Sequence, residues 1–176
     1  MVVLGLGVTG QLHIQLAKAR GASVIGVTRS AWKRQLAGQL GADMTFTSGE
    51  AALSGVREAT GGGGADLIID STGLLSVISD GVAMARLGAQ ILLYGITTVT
   101  EGALPFYQLY FKELALITAR AAKGEDFPAC IDLVRRGIVK LDPLVTHALP
   151  LAELGTAIDM LKSDADQRMK VVLENT

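Results

Sequence analysis

A set of three glycines at fixed spacing constrains this chain more than any other feature. Gly5-Leu6-Gly7-Val8-Thr9-Gly10 follows the β-branched run Val2–Leu4 and leads straight into helical spacing. Leu12, Leu16 and Ala19 recur there at i, i+4 and i+7, and Gly21 closes the segment in the usual position after a helix. A strand that turns at once into a helix leaves little room for side chains in the turn. The first glycine permits the tight turn, the second lets a backbone approach a pyrophosphate, and the third lets helix and strand pack closely. The N–H groups and dipole at the helix start would then face an anion. A purely structural glycine turn is the competing reading.

The alternation continues for about 120 residues. Short apolar runs at Ser23–Val27, Met44–Thr47, Leu67–Asp70, Gln90–Leu93 and Leu114–Ile117 are separated by stretches with helical spacing. Trp32–Leu40 is one of these, with Ser30 as its expected N-cap and Gly41 as its stop. Gly61–Gly64 precedes a strand, not a helix, and so reads as a loop without phosphate-binding character. Near-continuous apolar strands alternating with helices predict an α/β fold: a doubly wound, parallel, six-stranded sheet covered on both faces. After about residue 120 the pattern changes to a C-terminal α+β segment. Helices are predicted near Phe127–Arg136 and Leu151–Leu161, and strands near Leu144–His147 and Met169–Leu173. The expected division is 1–119 for the dinucleotide-binding domain and 120–176 for the segment.

The end of the second strand bears on the choice of ligand. An acidic residue there would accept hydrogen bonds from an adenosine ribose and repel a 2′-phosphate. This chain has Thr28-Arg29-Ser30 instead, with Lys33 and Arg34 at the start of the next helix. A guanidinium matches a phosphate in charge and in fork geometry. The reading is NADP(H) in preference to NAD(H); a solvated basic patch without preference is the alternative.

Composition narrows the remaining classes. Apolar residues make up 49% and charged residues 19%, an ordinary globular balance. A net charge of −1 gives no attraction to nucleic acid or to an anionic membrane. The single cysteine, Cys130, excludes an internal disulfide framework and fits a reducing compartment. No apolar run approaches a membrane span, and the N-terminus lacks a signal-peptide pattern, so a cytoplasmic protein is expected. Two histidines and one cysteine show no metal-ligand spacing. His147 and Cys130 read as packing residues, His13 as a surface residue of the first helix, and Asp70 as structural. No catalytic residue is assigned.

GLGVTGQLHIQLAKARGASVIGVTRS, then LGAD, GADLIIDSTG, LGAQILLYG and DPLVTHALPLAELGTAIDML, resemble the medium-chain dehydrogenase/reductase superfamily. The nearest branch is that of the zinc-dependent alcohol and polyol dehydrogenases. The resemblance covers essentially the whole chain. It implies that Gly5, Gly7, Val8, Thr9 and Gly10 hold the pyrophosphate, and that Thr28, Arg29, Ser30 and Lys33 hold the 2′-phosphate. It further implies that Ser71, Thr72, Gly73, Tyr94, Gly95 and Ile96 flank the ribose and nicotinamide, with Thr118 completing that pocket. Tyr94 by itself reads as packing.

The family's catalytic domain, with its zinc ligands and proton relay, lies mostly ahead of the glycine loop. That region is absent from this sequence, and residues 120–176 resemble the return of the chain into it. The implied function is therefore the NADP(H)-binding part of a zinc-type oxidoreductase acting on an alcohol or carbonyl, with zinc expected only in the other domain. The chain alone is expected to be inactive, and an apolar face around Val145, Leu149, Leu151 and Leu154 is expected to be uncovered. A homodimer through the sixth strand is also expected. A non-catalytic dinucleotide-binding module and a zinc-free quinone or enoyl reductase domain are the alternatives.

Overall fold

The computed structural model describes residues 1–162 and 167–175. Six parallel strands form one sheet: β1 (Val2–Leu4), β2 (Ile25–Val27), β3 (Met44–Phe46), β4 (Ala65–Asp70), β5 (Ala85–Leu93) and β6 (Ala115–Thr118). Their spatial order is β3-β2-β1-β4-β5-β6, so the winding reverses between β1 and β4. Ligands bind at the carboxyl ends of strands beside such a reversal. The connecting helices are α1 (Val8–Ala19), α2 (Ala31–Gln39), α3 (Glu50–Ala59), α4 (Leu75–Met84) and α5 (Phe106–Phe111).

Strand β1 shows why both faces are covered. Successive side chains of a strand point to opposite faces. Val2 and Leu4 join one apolar cluster with Val56 and Val82 from α3 and α4, whereas Val3 joins another with Ile14 and Ala37 from α1 and α2. Val2, Val3 and Leu4 are all at most 1% exposed. Each such burial contributes roughly 1.5–3 kcal/mol. The doubly wound expectation holds, with ends shifted by a few residues; β5, for example, starts at Ala85 instead of Gln90.

Helix α1 turns a different face to the core from the apolar stripe its sequence displays. Its buried residues are Gly10, Gln11, Ile14 and Gln15, and Leu16 is 38% exposed. The amides have specific partners. The Gln11 side-chain NH2 donates to the carbonyls of Lys33 (2.9 Å) and Leu6 (3.4 Å), joining the glycine turn to α2. The Gln15 amide donates to the carbonyl of Lys140 (3.2 Å) and accepts from its N–H (2.7 Å).

That second pairing anchors the C-terminal segment. The segment comprises α6 (Asp126–Arg135), β7 (Val145–Pro150), α7 (Leu154–Lys162) and β8 (Lys170–Glu174), with β7 and β8 paired in parallel. Val139 and Leu144 are buried, whereas Val145, Leu151 and Leu154 are 42–53% exposed. Leu149 is half-buried.

Replacing the buried Gln15 by Leu leaves both backbone groups of Lys140 without their partner in a partly buried place. The expected cost is about 1–3 kcal/mol. Hydrogen exchange read by mass spectrometry should speed up around Lys140, while exchange in β1 and β4 stays slow.

Candidate dinucleotide-binding crevice

The carboxyl ends of β1, β4 and β5 meet in a tight backbone knot. Strand hydrogen bonding continues past each strand end: the Gly5 N–H donates to the Val27 carbonyl (2.9 Å) and the Ser71 N–H to the Leu4 carbonyl (2.8 Å). The Tyr94 and Gly95 N–H groups both donate to the Asp70 carbonyl, at 3.0 and 2.8 Å. The Asp70 carboxylate, 1% exposed, accepts from the Thr72 N–H (2.9 Å), the Thr72 hydroxyl (2.6 Å) and the Gly73 N–H (3.0 Å). Three donors satisfy a buried charge and hold the turn rigid. Asp70 thus holds the turn after β4, the structural role expected of it in preference to contact with the cofactor side of the sheet.

Gly5, Ser71-Thr72-Gly73 and Gly95-Ile96 lie against one another. A Cβ on Gly5 would stand 2.5 Å from the Thr72 methyl, and its φ of +85° already favours glycine. A Cβ on Gly10 would overlap the Gly5 carbonyl, and one on Gly95 would overlap the backbone of Thr72 and Gly73. Gly7 differs: its φ is −72°, and nothing lies within 4 Å of where a side chain would be. Its space is open and adjoins the start of α1, which has no side-chain cap and no acidic residue in its first turn. First-turn N–H groups lack intrahelical acceptors, so this end of α1 presents donors and positive dipole to the open space over Gly7. Val8 and Thr9 form that first turn. The residues fit a pyrophosphate.

The basic cluster follows β2. Thr28 continues the ladder, its N–H donating to the Phe46 carbonyl (3.2 Å), and Arg29 is exposed. Ser30 sits at the N-cap of α2 but makes no side-chain cap hydrogen bond, so its hydroxyl is not engaged there. Arg34 is a residue the motif did not single out as a binder. Its guanidinium donates to the carbonyls of Thr28 (2.7 Å) and Arg29 (2.9 Å), which shapes the loop from behind. The Lys33 ammonium lies 5.5 Å from the Trp32 ring centroid. Burial pulls its pKa down, and the charge of Arg168 lowers it further. Arg168 lies some 130 residues beyond the motif; only the fold could reveal it.

Two other expectations change. His13 is not a surface residue: it is half-buried, stands edge-on to Tyr94 with ring centroids 4.8 Å apart, and places Nδ1 3.5 Å from the Ser71 hydroxyl. Its pKa is lowered by burial, a shift partly opposed by a hydrogen bond to the Thr9 backbone. Cys130 is exposed on α6 instead of packed. His147, half-buried in β7, has Nδ1 3.0 Å from the Thr146 hydroxyl. Tyr94 and Ile96 are 41% and 86% exposed at the crevice, and Thr118 ends β6 in an exposed position. Among the described residues, no three His, Cys, Asp or Glu side chains are grouped to hold a metal. No helix among them is long and apolar enough to cross a membrane.

A parallel sheet of this order with a glycine-lined crevice at its reversal defines a Rossmann-type α/β fold. The chain belongs to the zinc-binding dehydrogenase family, whose model matches residues 8–136. It is 30% identical over 173 residues to 2-dehydro-3-deoxy-L-galactonate 5-dehydrogenase of Pseudoalteromonas atlantica, a match covering 98% of this chain and 50% of that protein. It is 32% identical over 178 residues to L-threonine 3-dehydrogenase of Bacillus subtilis, covering 97% and 50%. Among solved structures, an Escherichia coli alcohol dehydrogenase complexed with NADH superposes with a TM-score of 0.87 at 26% identity, covering 99% of this chain and 51% of that one. A zinc-binding dehydrogenase of Sinorhizobium meliloti bound to NADP gives 0.85 at 27% identity, covering 98% and 52%. The chain spans about half the length of the relatives it matches.

Gly7 and Gly10 should separate under substitution. Gly7→Ala places a methyl group in open space and should cost about 1 kcal/mol or less in stability, while reducing dinucleotide affinity. Gly10→Ala drives a methyl group into backbone and should cost roughly 3 kcal/mol or more. Thermal unfolding and ligand titration of both variants would check this.

Proposed function

We propose that this chain is the NADP(H)-binding part of a zinc-type, alcohol dehydrogenase-like oxidoreductase. Residues 1–119 form the cofactor domain in this reading, and residues 120–176 form a segment that belongs against a catalytic domain. The open cradle over Gly7, beside the uncapped start of α1, carries the reading. When bound, the nicotinamide gives or takes a hydride at the carbon of an alcohol or carbonyl, with zinc in the other domain polarising the oxygen. This chain's own residues bind and orient. Val8, Thr9 and the glycines hold the pyrophosphate. Thr28, Arg29, Ser30 and Lys33 hold the 2′-phosphate, with the loop shaped by Arg34. Ser71, Thr72, Gly73, Tyr94, Gly95, Ile96 and Thr118 flank the ribose and nicotinamide. A small alcohol or carbonyl compound is the substrate class, and the setting is cytoplasmic.

Selectivity tests the basic cluster. Each charge-assisted hydrogen bond to the 2′-phosphate contributes ~1.5–3 kcal/mol, so one or two give roughly 10- to 1,000-fold preference at about 1.4 kcal/mol per decade. Titration calorimetry should find NADPH tighter than NADH, and Thr28→Asp with Arg29→Ala should reverse the order. Equal affinities, or tighter NADH, would refute the assignment of Arg29.

The same reading includes a homodimer. Strand β6 ends the sheet, with Leu116 and Ile117 42% and 41% exposed. Just before it, α5 exposes Phe106, Tyr107, Tyr110 and Phe111 by 65–85%. An open strand edge beside an apolar surface is a site for self-pairing. Light scattering at micromolar concentration should give twice the chain mass; a strictly monomeric mass would count against the dimer.

A further inference from the structure

The proposed function, on which this inference rests, leaves one residue unaccounted for: His13 of α1, which meets Ser71 and Tyr94. These residues come from three elements, and two of them immediately follow the last residues of β4 and β5. They therefore lie on the β4–β5 side of the reversal, whereas the basic cluster after β2 lies on the other. A dinucleotide with its pyrophosphate over Gly7 sends one nucleoside to each side. If the adenosine 2′-phosphate goes to Arg29, the nicotinamide nucleoside goes toward Ser71 and Tyr94.

His13 is poorly explained as packing. The core face of α1 is Gly10, Gln11, Ile14 and Gln15, and His13 lies outside it. Its ring instead meets the Tyr94 ring edge-on, with an interplanar angle of 85°. Edge-to-face geometry restricts both rings. Tyr94 is nevertheless 41% exposed, so the pair borders open space. The Ser71 hydroxyl, 3.5 Å from His13 Nδ1, is half-buried in the same place. The cluster thus offers an aromatic wall and hydrogen-bonding atoms to whatever lies above it.

We propose that His13 is a positioning residue for the nicotinamide nucleoside, holding the Tyr94 ring and the Ser71 hydroxyl against that half of the cofactor. The adenosine half is out of its reach, so its effect is confined to one end of the ligand.

The experiment compares the full chain with its His13→Ala and His13→Phe variants. Each is titrated with whichever reduced dinucleotide the wild type binds tighter, and with the matching adenosine half, 2′,5′-ADP or 5′-ADP. Loss of one positioned hydrogen bond or ring contact should weaken the dinucleotide about 10-fold in His13→Ala. His13→Phe, which keeps the ring, should recover part of the loss. Affinity for the adenosine half should stay within about twofold of wild type. In proton NMR of the wild type, the His13 ring signals should move on adding the dinucleotide and not on adding the adenosine half. Unchanged dinucleotide affinity in His13→Ala, or equal weakening of both ligands, would overturn the assignment while leaving the proposed function intact. If the wild type binds the adenosine half and the dinucleotide equally well, the nicotinamide end has no site here and the inference fails. If the wild type binds neither ligand, the proposed function falls and the inference with it.

Discussion

The Asp70 carboxylate is the interaction on which the crevice most depends. A buried charge without partners costs several kcal/mol; one that accepts three hydrogen bonds becomes a rigid fixture. Asp70 gathers the N–H groups of Thr72 and Gly73 and the Thr72 hydroxyl, while its own carbonyl takes the N–H groups of Tyr94 and Gly95. The turns after β4 and β5 are thereby locked together. Gly5 then packs against Thr72, and Gly10 against Gly5. The glycine turn, the strand-end turns and the start of α1 form one continuous backbone floor, in which only glycine fits at the contact points.

Helix α1 serves three regions at once. Its N-terminus faces the open space over Gly7, Gln11 ties the glycine turn to α2, and Gln15 grips the backbone of Lys140. The spacing between the open space over Gly7 and the basic cluster is therefore fixed in part by a side-chain amide and not by the loops alone. The same helix carries His13 toward the ends of β4 and β5. The C-terminal segment exposes apolar residues such as Leu151 and Leu154, and the chain spans about half the length of its relatives. The proposed catalytic domain would cover them.

The sheet, its parallel sense and the glycine turn were legible in the sequence. Val2–Leu4 and Leu67–Ile69 are apolar on both faces, as the strands of a parallel sheet covered on both sides are. Glycines 5, 7 and 10 are spaced to match one strand–turn–helix unit. The apolar stripe of α1 misleads: Leu12, Leu16 and Ala19 keep helical spacing, yet the buried side chains are Gln11, Ile14 and Gln15, two of them amides. Hydrophobic periodicity assigns the interior by transfer energy, and an amide that satisfies backbone groups escapes that rule. His13 was misplaced for a related reason. A histidine on an amphipathic helix reads as solvated unless its partners are known, and those partners lie 58 and 81 positions away along the chain.

By itself the sequence determined the element types, the strand-to-helix alternation, the place of the glycine turn and the absence of an acid after the second strand. These depend on local sterics and on burial of short segments, both encoded within a few residues. Tertiary structure decided which of the three glycines leaves a space and which merely permits contact, since Gly7 and Gly10 are identical residues with different neighbours. It also decided that Arg34 supports the loop carbonyls, that Arg168 approaches Lys33, and that His13 turns toward Tyr94. Such pairings depend on sheet order and helix rotation. A one-dimensional pattern holds neither, because both are set by packing the whole domain at once.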